Sequence, residues 1–241
     1  MLHKTRGIVL KTTKYSESSL VVHILTEKFG LQSYMVNGAR KSKAKIRANM
    51  LQPLHLVEMV VYFKQGGGLQ RITELKNQPV LVDIPFDIVK SSLALFLCDL
   101  VYHAVRDQDT DEQMFDFIFN SVELLDLKKD HLSNFHLLFM VAFSRFLGFY
   151  PSSQFTSRDH YFDLRNGVFR ENIPEHPLFM MDAEVQSLKE LMQTGFDNLH
   201  ELHIPSAVRR NLLQNLIAYY EYHLEKFGSI QSHQVLEVVL S

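Results

Sequence analysis

The hydrophobic periodicity of this chain changes once along its length, near residue 80. The residues before that point form short β-branched runs separated by turn residues, and the run "LHLVEMVVYF" at 54–63 alternates between two faces. Alternation with a period of two is typical of strands that bury one face. Five such runs, with no long helical pattern between them, predict a small antiparallel barrel or sheet.

The length of this first segment fits an OB-fold, although an SH3-like barrel has a similar number of strands. A basic run, "RKSKAKIR" at residues 40–47, lies between the third and fourth predicted strands. An OB-fold places a helix or a long loop at this point, so the position of the run favours the OB-fold. Proteins of that fold often bind single-stranded nucleic acid on one face and in their loops.

From about Asp83 onward, apolar residues recur at helical spacing. Helices are predicted within residues 85–107, 110–127, 131–149, 182–194 and 205–228, with a last short helix after Ser232. Thr110 and Gln113 have the spacing of a capping box at the start of the second helix. The chain is therefore expected to be an α+β protein, with a barrel domain at 1–80 and a helical domain at 81–241.

One segment, residues 150–177, interrupts the helical half of the chain. It is rich in polar and turn residues, and "RNG" at 165–167 predicts a hairpin. The helical domain is thus expected to contain a short inserted β region.

The charge of the chain is distributed unevenly, although its net value is only −2. Residues 1–80 contain 13 Lys and Arg against 4 Asp and Glu, a net charge of +9, and residues 81–241 contain 12 against 23, a net charge of −11. Such a division suggests two units with different electrostatic roles, the first suited to a polyanion.

The basic residues of the first segment are therefore the predicted nucleic-acid site. Phosphate contacts by Lys and Arg would give binding with little sequence preference and strong salt dependence. The alternative is a solvated loop with no ligand. Tyr15 and Tyr34 are the aromatic residues considered for base stacking. The residues assigned to the nucleic-acid site are Arg6, Lys11, Lys14, Lys28, Tyr34, Arg40, Lys41, Lys43, Lys45 and Arg47.

No catalytic constellation is recognisable in the sequence. It lacks a phosphate-binding loop followed by Lys and a G-x-S-x-G nucleophile turn. His200 and His203 are three residues apart, but without further ligands nearby they make a poor zinc site. The single cysteine, Cys98, lies in an apolar run, where a buried small hydrophobe is expected. The prediction is a non-enzymatic protein without catalytic residues, metal or cofactor.

The expected location is a reducing cytoplasm, because one cysteine cannot form an internal disulfide. The N-terminus lacks the apolar core of a signal peptide, and no apolar segment is long enough to span a bilayer. No membrane partner is therefore expected.

The order of short motifs resembles that of the bacterial recombination mediator family RecO. The matching residues lie in "KYSES", "TEKFG" and "NGAR": Tyr15, Glu17, Thr26, Glu27, Gly30, Gly38, Ala39 and Arg40. Later landmarks of the same family are similar to "FLGFYPS" at 146–152 and to the C-terminal "YYEYHLEKFGSIQSHQVL". The resemblance thus touches both ends and the middle of the chain.

This resemblance implies an N-terminal OB-fold, a helical domain and non-catalytic work in DNA repair, associated with the nucleoid. It further implies binding to single- and double-stranded DNA, annealing of complementary strands, and loading of RecA, with RecR, onto strands coated by single-stranded DNA-binding protein. The acidic, Phe-ending tail of that last protein would dock on the helical domain. Basic residues considered for the tail carboxylate are Arg145, Arg209 and Arg210.

One departure from the family concerns zinc. Many members have a four-cysteine zinc module in the region that corresponds to 150–177, and this chain has no cysteine there. The resemblance therefore implies a metal-free remnant, held by packing of Tyr161, Phe162, Leu164 and Phe169. A different class of function also remains open: a non-enzymatic adaptor whose basic loop docks an acidic protein.

Overall fold

The computed structural model describes residues 1–66, 68–106 and 108–240, and the chain forms two compact units, Met1–Leu127 and Lys128–Ser241. Within the described residues, and besides a 3-10 helix at Ala48–Leu51, the first unit contains five strands and two α-helices. These are β1 (Leu2–Lys14), β2 (Leu20–Thr26), β3 (Gly30–Val36), β4 (Leu56–Tyr62), β5 (Gln70–Asn77), α1 (Ile88–Ala104) and α2 (Glu112–Leu127).

The five strands close into a barrel in the order β1-β2-β3-β5-β4. Every neighbouring pair is antiparallel except β3 and β5, which pair in parallel at Tyr34↔Gln70 and Met35↔Arg71. The first half of β1 pairs with β4 and its second half with β2, so this one long strand serves both neighbours. The five strands are those that the alternating runs predict.

The barrel core follows the period-two pattern of the sequence. In β4, Val57, Met59 and Val61 point inward and are almost completely buried. Gly7 lies where β1 crosses this core, and a Cβ atom there would be only 2.7 Å from Ile24 Cγ2. The close strand crossing therefore requires a glycine at this position.

Helix α1 packs against β1, and a buried carboxylate on α2 fixes the segment that leads into α1. Asp126 accepts hydrogen bonds from the backbone N–H groups of Val82, Asp83 and Ile84 at 2.8–2.9 Å. Lys90 is buried and donates to Asp83 Oδ2 at 2.8 Å and to the Asp126 carbonyl at 2.6 Å. Polar groups that would be costly to bury alone are therefore satisfied together.

The start of α2 differs from the capping box predicted for Thr110 and Gln113. The Asp111 carboxylate accepts the backbone N–H groups of Gln113 and Met114, at 2.8 and 3.0 Å. Asp111 is therefore the residue that satisfies the free donors of this helix end.

The second unit is helical with one small sheet. Its helices are α3 (Phe135–Phe143), α4 (Asp182–Gln193), α5 (Ser206–His223) and α6 (His233–Val239), and its strands are β6 (Tyr161–Asp163), β7 (Val168–Arg170) and β8 (Phe179–Met181). A 3-10 helix covers Phe196–Glu201. The strand order is β7-β6-β8, both pairs antiparallel. The β6–β7 hairpin is the predicted one, whereas β8 was not predicted.

The inserted β region contains the four residues whose packing was expected to hold a metal-free remnant together. Phe162, Leu164 and Phe169 are buried and Tyr161 is half-buried. The rings of Phe162 and Phe169 are 4.8 Å apart, and Phe162 also contacts Tyr219 of α5 at 5.6 Å. At the hairpin turn Gly167 has a φ of 65°, and a Cβ atom there would be 2.6 Å from Tyr219 Oη.

This architecture confirms the predicted fold class, an α+β protein with an OB-fold-like barrel followed by helices and a short inserted β region. The last barrel strand ends at Asn77, whereas the division into compact units falls after Leu127, so the domain bounds 1–80 and 81–241 stay a prediction. Within the described residues, no helix is both long and apolar enough to cross a membrane.

Candidate nucleic-acid interface

The predicted basic run lies in the connection from β3 to β4, residues 37–55, here called the basic loop. Its apolar residues Ala39, Ile46 and Leu51 are buried in the barrel core. Between them, Ala48 N–H donates to the Ala39 carbonyl at 3.0 Å, and Thr12 Oγ1 donates to the Leu51 carbonyl at 2.7 Å. Buried apolar residues and these hydrogen bonds therefore attach the loop to the barrel.

The cations of this loop point away from the core. Arg40, Lys41, Lys43, Lys45 and Arg47 are all exposed. Lys45 Nζ donates to the Thr73 carbonyl at 3.3 Å and lies 3.8 Å from Glu74 Oε1. Lys41, Lys43 and Arg47 form no ion pair with any residue that the structure describes. Their charge is thus available to an anion.

The turn between β1 and β2 adjoins the basic loop. Arg40 donates its backbone N–H to the Ser18 carbonyl at 3.3 Å and its Nη1 to the Glu17 carbonyl at 3.1 Å. Lys14, at the end of β1, and Tyr15, in the turn, are both exposed, Tyr15 by 66%. One end of the barrel thus combines five loop cations with Lys14 and an exposed aromatic ring.

Two rows of residues lead from this end along the outer face of β1, β2 and β3. The strand register aligns Lys11, His23 and Ser33 in one row and Thr13, Val21 and Met35 in the next. Met35 is also paired with Arg71 of β5, which is exposed. Arg71 was not predicted as a site residue, although the alternation in "LQRITEL" places it opposite buried Ile72.

Arg6, predicted to contact nucleic acid, is engaged elsewhere. Its Nη2 donates to Glu27 Oε1 at 2.9 Å and to Asp116 Oδ1 at 2.7 Å, and its guanidinium lies over the rings of Phe115 and Phe119. The hydrogen bond to Glu27 is the main reason why the pKa of Arg6 rises and that of Glu27 falls. This prediction is therefore corrected: Arg6 joins β1 to α2.

Tyr34, predicted as a stacking platform, lies in the barrel core with no exposed surface. Burial alone raises the pKa of its hydroxyl. It falls on the same face of β3 as Val36, which points inward. Its ring cannot stack on a base, so it is removed from the site.

Lys28 is exposed but lies away from the basic loop. It follows β2 at the turn to β3, whereas the loop begins at the opposite ends of those strands, where Leu20 pairs with Val36. Six residues of extended strand separate the two ends by about 20 Å. Lys28 is therefore not part of the cluster formed by the loop cations.

The three arginines predicted for partner binding lie in the second unit, and two of them are adjacent. Arg209 and Arg210 line a cavity of about 20 Å³ between α3, α5 and α6, together with His136 and Glu237. Arg209 donates to the carbonyls of Ile204 and Leu240 at 3.2 and 2.6 Å, so it is engaged, whereas Arg210 is exposed.

Arg145 does not line that cavity. It is exposed after α3, with its guanidinium 4.4 Å from the centre of the Tyr150 ring. Among the residues that the structure describes, no group of three or more His, Cys, Asp or Glu side chains is placed to hold a metal ion.

Comparisons with known proteins relate both parts of the chain to one family. Residues 1–78 match the family model "Recombination protein O N terminal", and residues 85–229 match "Recombination protein O C terminal". The N-terminal match covers the whole barrel, including the basic loop.

Full-length relatives agree with these matches. The chain is 33% identical over 239 residues to the DNA repair protein RecO of Azobacteroides pseudotrichonymphae, covering 99% of each chain. It is 34% identical over 238 residues to the RecO protein of Bacteroides fragilis, covering 98% of each, and 34% identical over 242 residues to that of Flavobacterium psychrophilum, covering 99% of each. This chain belongs to the recombination protein O (RecO) family.

Proposed function

We propose that this protein is a DNA repair and recombination mediator that binds single- and double-stranded DNA through its barrel and anneals complementary strands. The relatives named above are DNA repair proteins, which supports the general role. The observation that carries the DNA-binding proposal is the basic loop, which packs on the barrel core while its Lys41, Lys43 and Arg47 are exposed and form no ion pair within the described residues.

The physical basis of the proposed binding is counterion release. Each phosphate that Lys or Arg neutralises releases condensed cations from the strand, so affinity falls as salt rises and depends little on base sequence. Screening the charge of two strands also lowers their mutual repulsion, which favours annealing. Neither process makes or breaks a covalent bond, so the proposed role is non-enzymatic.

The test compares two double variants that remove the same charge. Lys41→Ala/Lys43→Ala removes two unpaired loop cations, whereas the control, Lys4→Ala/Lys76→Ala, removes two barrel lysines that pair with Glu58 at 3.5 and 3.0 Å. A fluorescent single-stranded oligonucleotide is titrated at several salt concentrations. The loop variant should lose about 1.4 from the slope of log K against log salt, about 0.7 per contact.

The control should retain the slope and annealing rate of the unaltered protein. Equal losses in both variants would mean that only net charge matters and would remove the basic loop from the site. No binding by the unaltered protein at low salt would overturn the DNA-binding proposal.

The proposed partners are RecR and single-stranded DNA-binding protein, with RecA loaded indirectly. For the acidic tail, Arg210 is the exposed cation beside the cavity between α3, α5 and α6. A cavity of about 20 Å³ holds little more than one water, so a phenylalanine side chain enters only if α6 moves. Leu236 is the buried residue of α6, so this movement exposes little apolar area.

The tail proposal is tested with a labelled acidic peptide that ends in Phe. Arg210→Ala should weaken peptide binding about tenfold or more, as expected for a charge-assisted contact. Arg145→Ala is the matched control, because this exposed arginine lies outside the cavity. Equal affinity of the Arg210→Ala variant and the unaltered protein would reject this docking site.

An adaptor that docks proteins is the second candidate, and an exposed apolar surface on the first unit favours it. Phe86, Ile88 and Leu95 are exposed by 89%, 71% and 43%. Leu95 and Pro85 line a cavity of about 320 Å³ beside α1. Exposed apolar surface of this kind often marks a protein interaction site. The salt titration separates the two candidates, because an adaptor would not bind the oligonucleotide.

A further inference from the structure

A second cluster of cations lies on the outer face of the barrel, at the C-terminal end of α1. Lys11, His23 and Ser33 form one row across β1, β2 and β3. Ser33 Oγ and His23 Nδ1 are 2.8 Å apart and share a hydrogen bond. The strand register fixes these three side chains next to one another, so their proximity does not depend on a loop.

Tyr102 of α1 covers this row and brings a second cation to it. Its ring lies edge to face with the His23 ring at 5.3 Å. Lys11 Nζ is 4.9 Å from the centre of the Tyr102 ring, and the Arg106 guanidinium is 4.8 Å from it. Arg106 Nη2 also donates to Tyr102 Oη at 3.2 Å. Two cations are thus held against one aromatic ring.

No carboxylate of the described residues neutralises the two cations of this cluster. Lys11 and Arg106 are exposed, and neither forms an ion pair within residues 1–66, 68–106 and 108–240. The nearest carboxylate on α1, Asp99, is paired with His103 at 3.4 Å, and the His103 ring contacts Tyr102 at 5.5 Å. Cation–π contacts hold the two cations in place without cancelling their charge.

The pKa of His23 depends on the two cations of this cluster. Burial lowers its pKa, and the charges of Lys11 and Arg106 lower it further. The groups that face it are Lys11 from β1, Ser33 from β3, Tyr102 from α1, and Arg106 from the turn that follows α1. An anion bound between the cations would oppose their effect and favour protonated His23.

We propose that Lys11, Arg106 and His23 form a binding subsite for one backbone phosphate of a nucleic-acid strand. The subsite rests on the proposed DNA-binding function and extends it. The adjacent row ends at Arg71 of β5, two residues before Thr73, whose carbonyl accepts Lys45. The two rows are two residues apart along each β-strand, which is about 7 Å and close to the spacing of successive phosphates. One nucleic-acid strand can therefore run from this subsite to the basic loop.

The test again uses variants matched in charge. Lys11→Ala/Arg106→Ala is compared with the paired control Lys4→Ala/Lys76→Ala in oligonucleotide titrations at several salt concentrations. The subsite variant should lose about 0.7 from the salt slope, because the contact to one phosphate is lost. Thermal unfolding of each variant establishes that the barrel is intact before binding is compared.

A second readout follows His23 by NMR in the full chain. Addition of a single-stranded oligonucleotide should raise the pKa of His23, and binding should tighten as the pH falls from 7.5 to 6. His23→Gln, which keeps a hydrogen-bonding side chain, should lose this pH dependence. Inorganic phosphate at millimolar concentration distinguishes a free anion from a nucleic-acid strand. If phosphate alone raises the pKa of His23, the cluster is a site for a free anion, and the assignment to a strand is overturned.

The outcomes separate this inference from the proposed function. If the unaltered protein binds DNA and the loop variant loses affinity, while Lys11→Ala/Arg106→Ala matches its control, only the subsite is wrong. A pKa of His23 that the oligonucleotide leaves unchanged leads to the same conclusion. If the unaltered protein does not bind DNA at low salt, the proposed function fails, and the subsite fails with it.

Discussion

The sulfur of Cys98 in α1 accepts a hydrogen bond from the backbone N–H of Leu54, at 3.1 Å. Leu54 has a φ of 58° at the end of the basic loop, and its N–H also donates to the Val9 carbonyl at 2.8 Å. The Cys98 thiol in turn donates to that carbonyl at 3.5 Å. One buried thiol therefore joins the helix, the first strand and the end of the basic loop.

Replacing this thiol should destabilise the first unit without affecting its surface. Cys98→Ala removes the acceptor and leaves a small cavity, so the free energy of unfolding should fall by about 1 to 2 kcal/mol in urea titrations. Burial also raises the pKa of the thiol, so the folded protein should react with a disulfide reagent only as fast as it opens. Rapid labelling in the absence of denaturant would contradict this.

The buried carboxylate of Asp126 should be a principal determinant of the segment that precedes α1. Asp126→Asn replaces an acceptor of three backbone N–H groups by an amide with one oxygen. The expected loss is about 3 kcal/mol, measured as a shift of the urea midpoint. Glu123→Gln on the same helix is a matched control, because Glu123 forms no ion pair with the described residues. An equal, small shift in both variants would assign no special role to Asp126.

The second unit should become less stable in mild acid because of His136 in α3. Burial, with a smaller effect from Arg209, lowers the pKa of His136 to about 3, whereas an unfolded histidine has a pKa of about 6.5. The folded state thus excludes a proton that the unfolded state binds. Stability from this group is complete above pH 6.5 and falls as the pH drops toward 3, by up to about 1.4 kcal/mol per pH unit.

His136→Leu provides the measurement for this prediction. Urea midpoints of both proteins are compared between pH 7.5 and 4.5, and the variant should show the flatter dependence. The comparison of slopes isolates His136 from the carboxylates, which titrate mostly below this range. Parallel slopes would contradict the prediction, because they would mean that folding leaves the pKa of His136 close to its unfolded value.

Local sequence patterns predict the barrel because apolar and polar residues alternate along each strand. The same patterns do not determine which distant residues a polar side chain contacts. Tyr34 could have been placed correctly, since it shares a face with Val36. Arg6 could not, because its partner Asp116 is 110 residues away and belongs to a helix. Arg106 was missed for the same reason: the fold alone brings it to the row of Lys11 and His23. Predicted charge identifies a surface, whereas tertiary contacts decide which cations remain available.

The inserted sheet, which was expected to be a metal-free remnant, contains a buried carboxylate, that of Asp163. Asp163 is 1% exposed. It accepts the backbone N–H groups of Arg165 and Asn166 at 3.0 Å, Asn166 Nδ2 at 2.8 Å and Arg170 Nε at 3.1 Å, and it lies 3.3 Å from His176 Nε2. Burial would raise the pKa of Asp163, but these hydrogen bonds and the charge of His176 outweigh it, and the pKa falls.

Asp163→Ala should therefore open the hairpin while the helices of the second unit persist. Limited proteolysis should cut the variant within residues 150–177 at least tenfold faster, and a metal chelator should leave the pattern of the unaltered protein unchanged. Asp159→Ala is the control, because among the described residues this carboxylate accepts hydrogen bonds from nearby Thr156 alone. Since the folded pKa of Asp163 is depressed, its contribution is present above about pH 4 and is lost as the pH falls through the folded pKa. Chelator-induced cleavage of the unaltered protein would instead show that a metal holds this sheet.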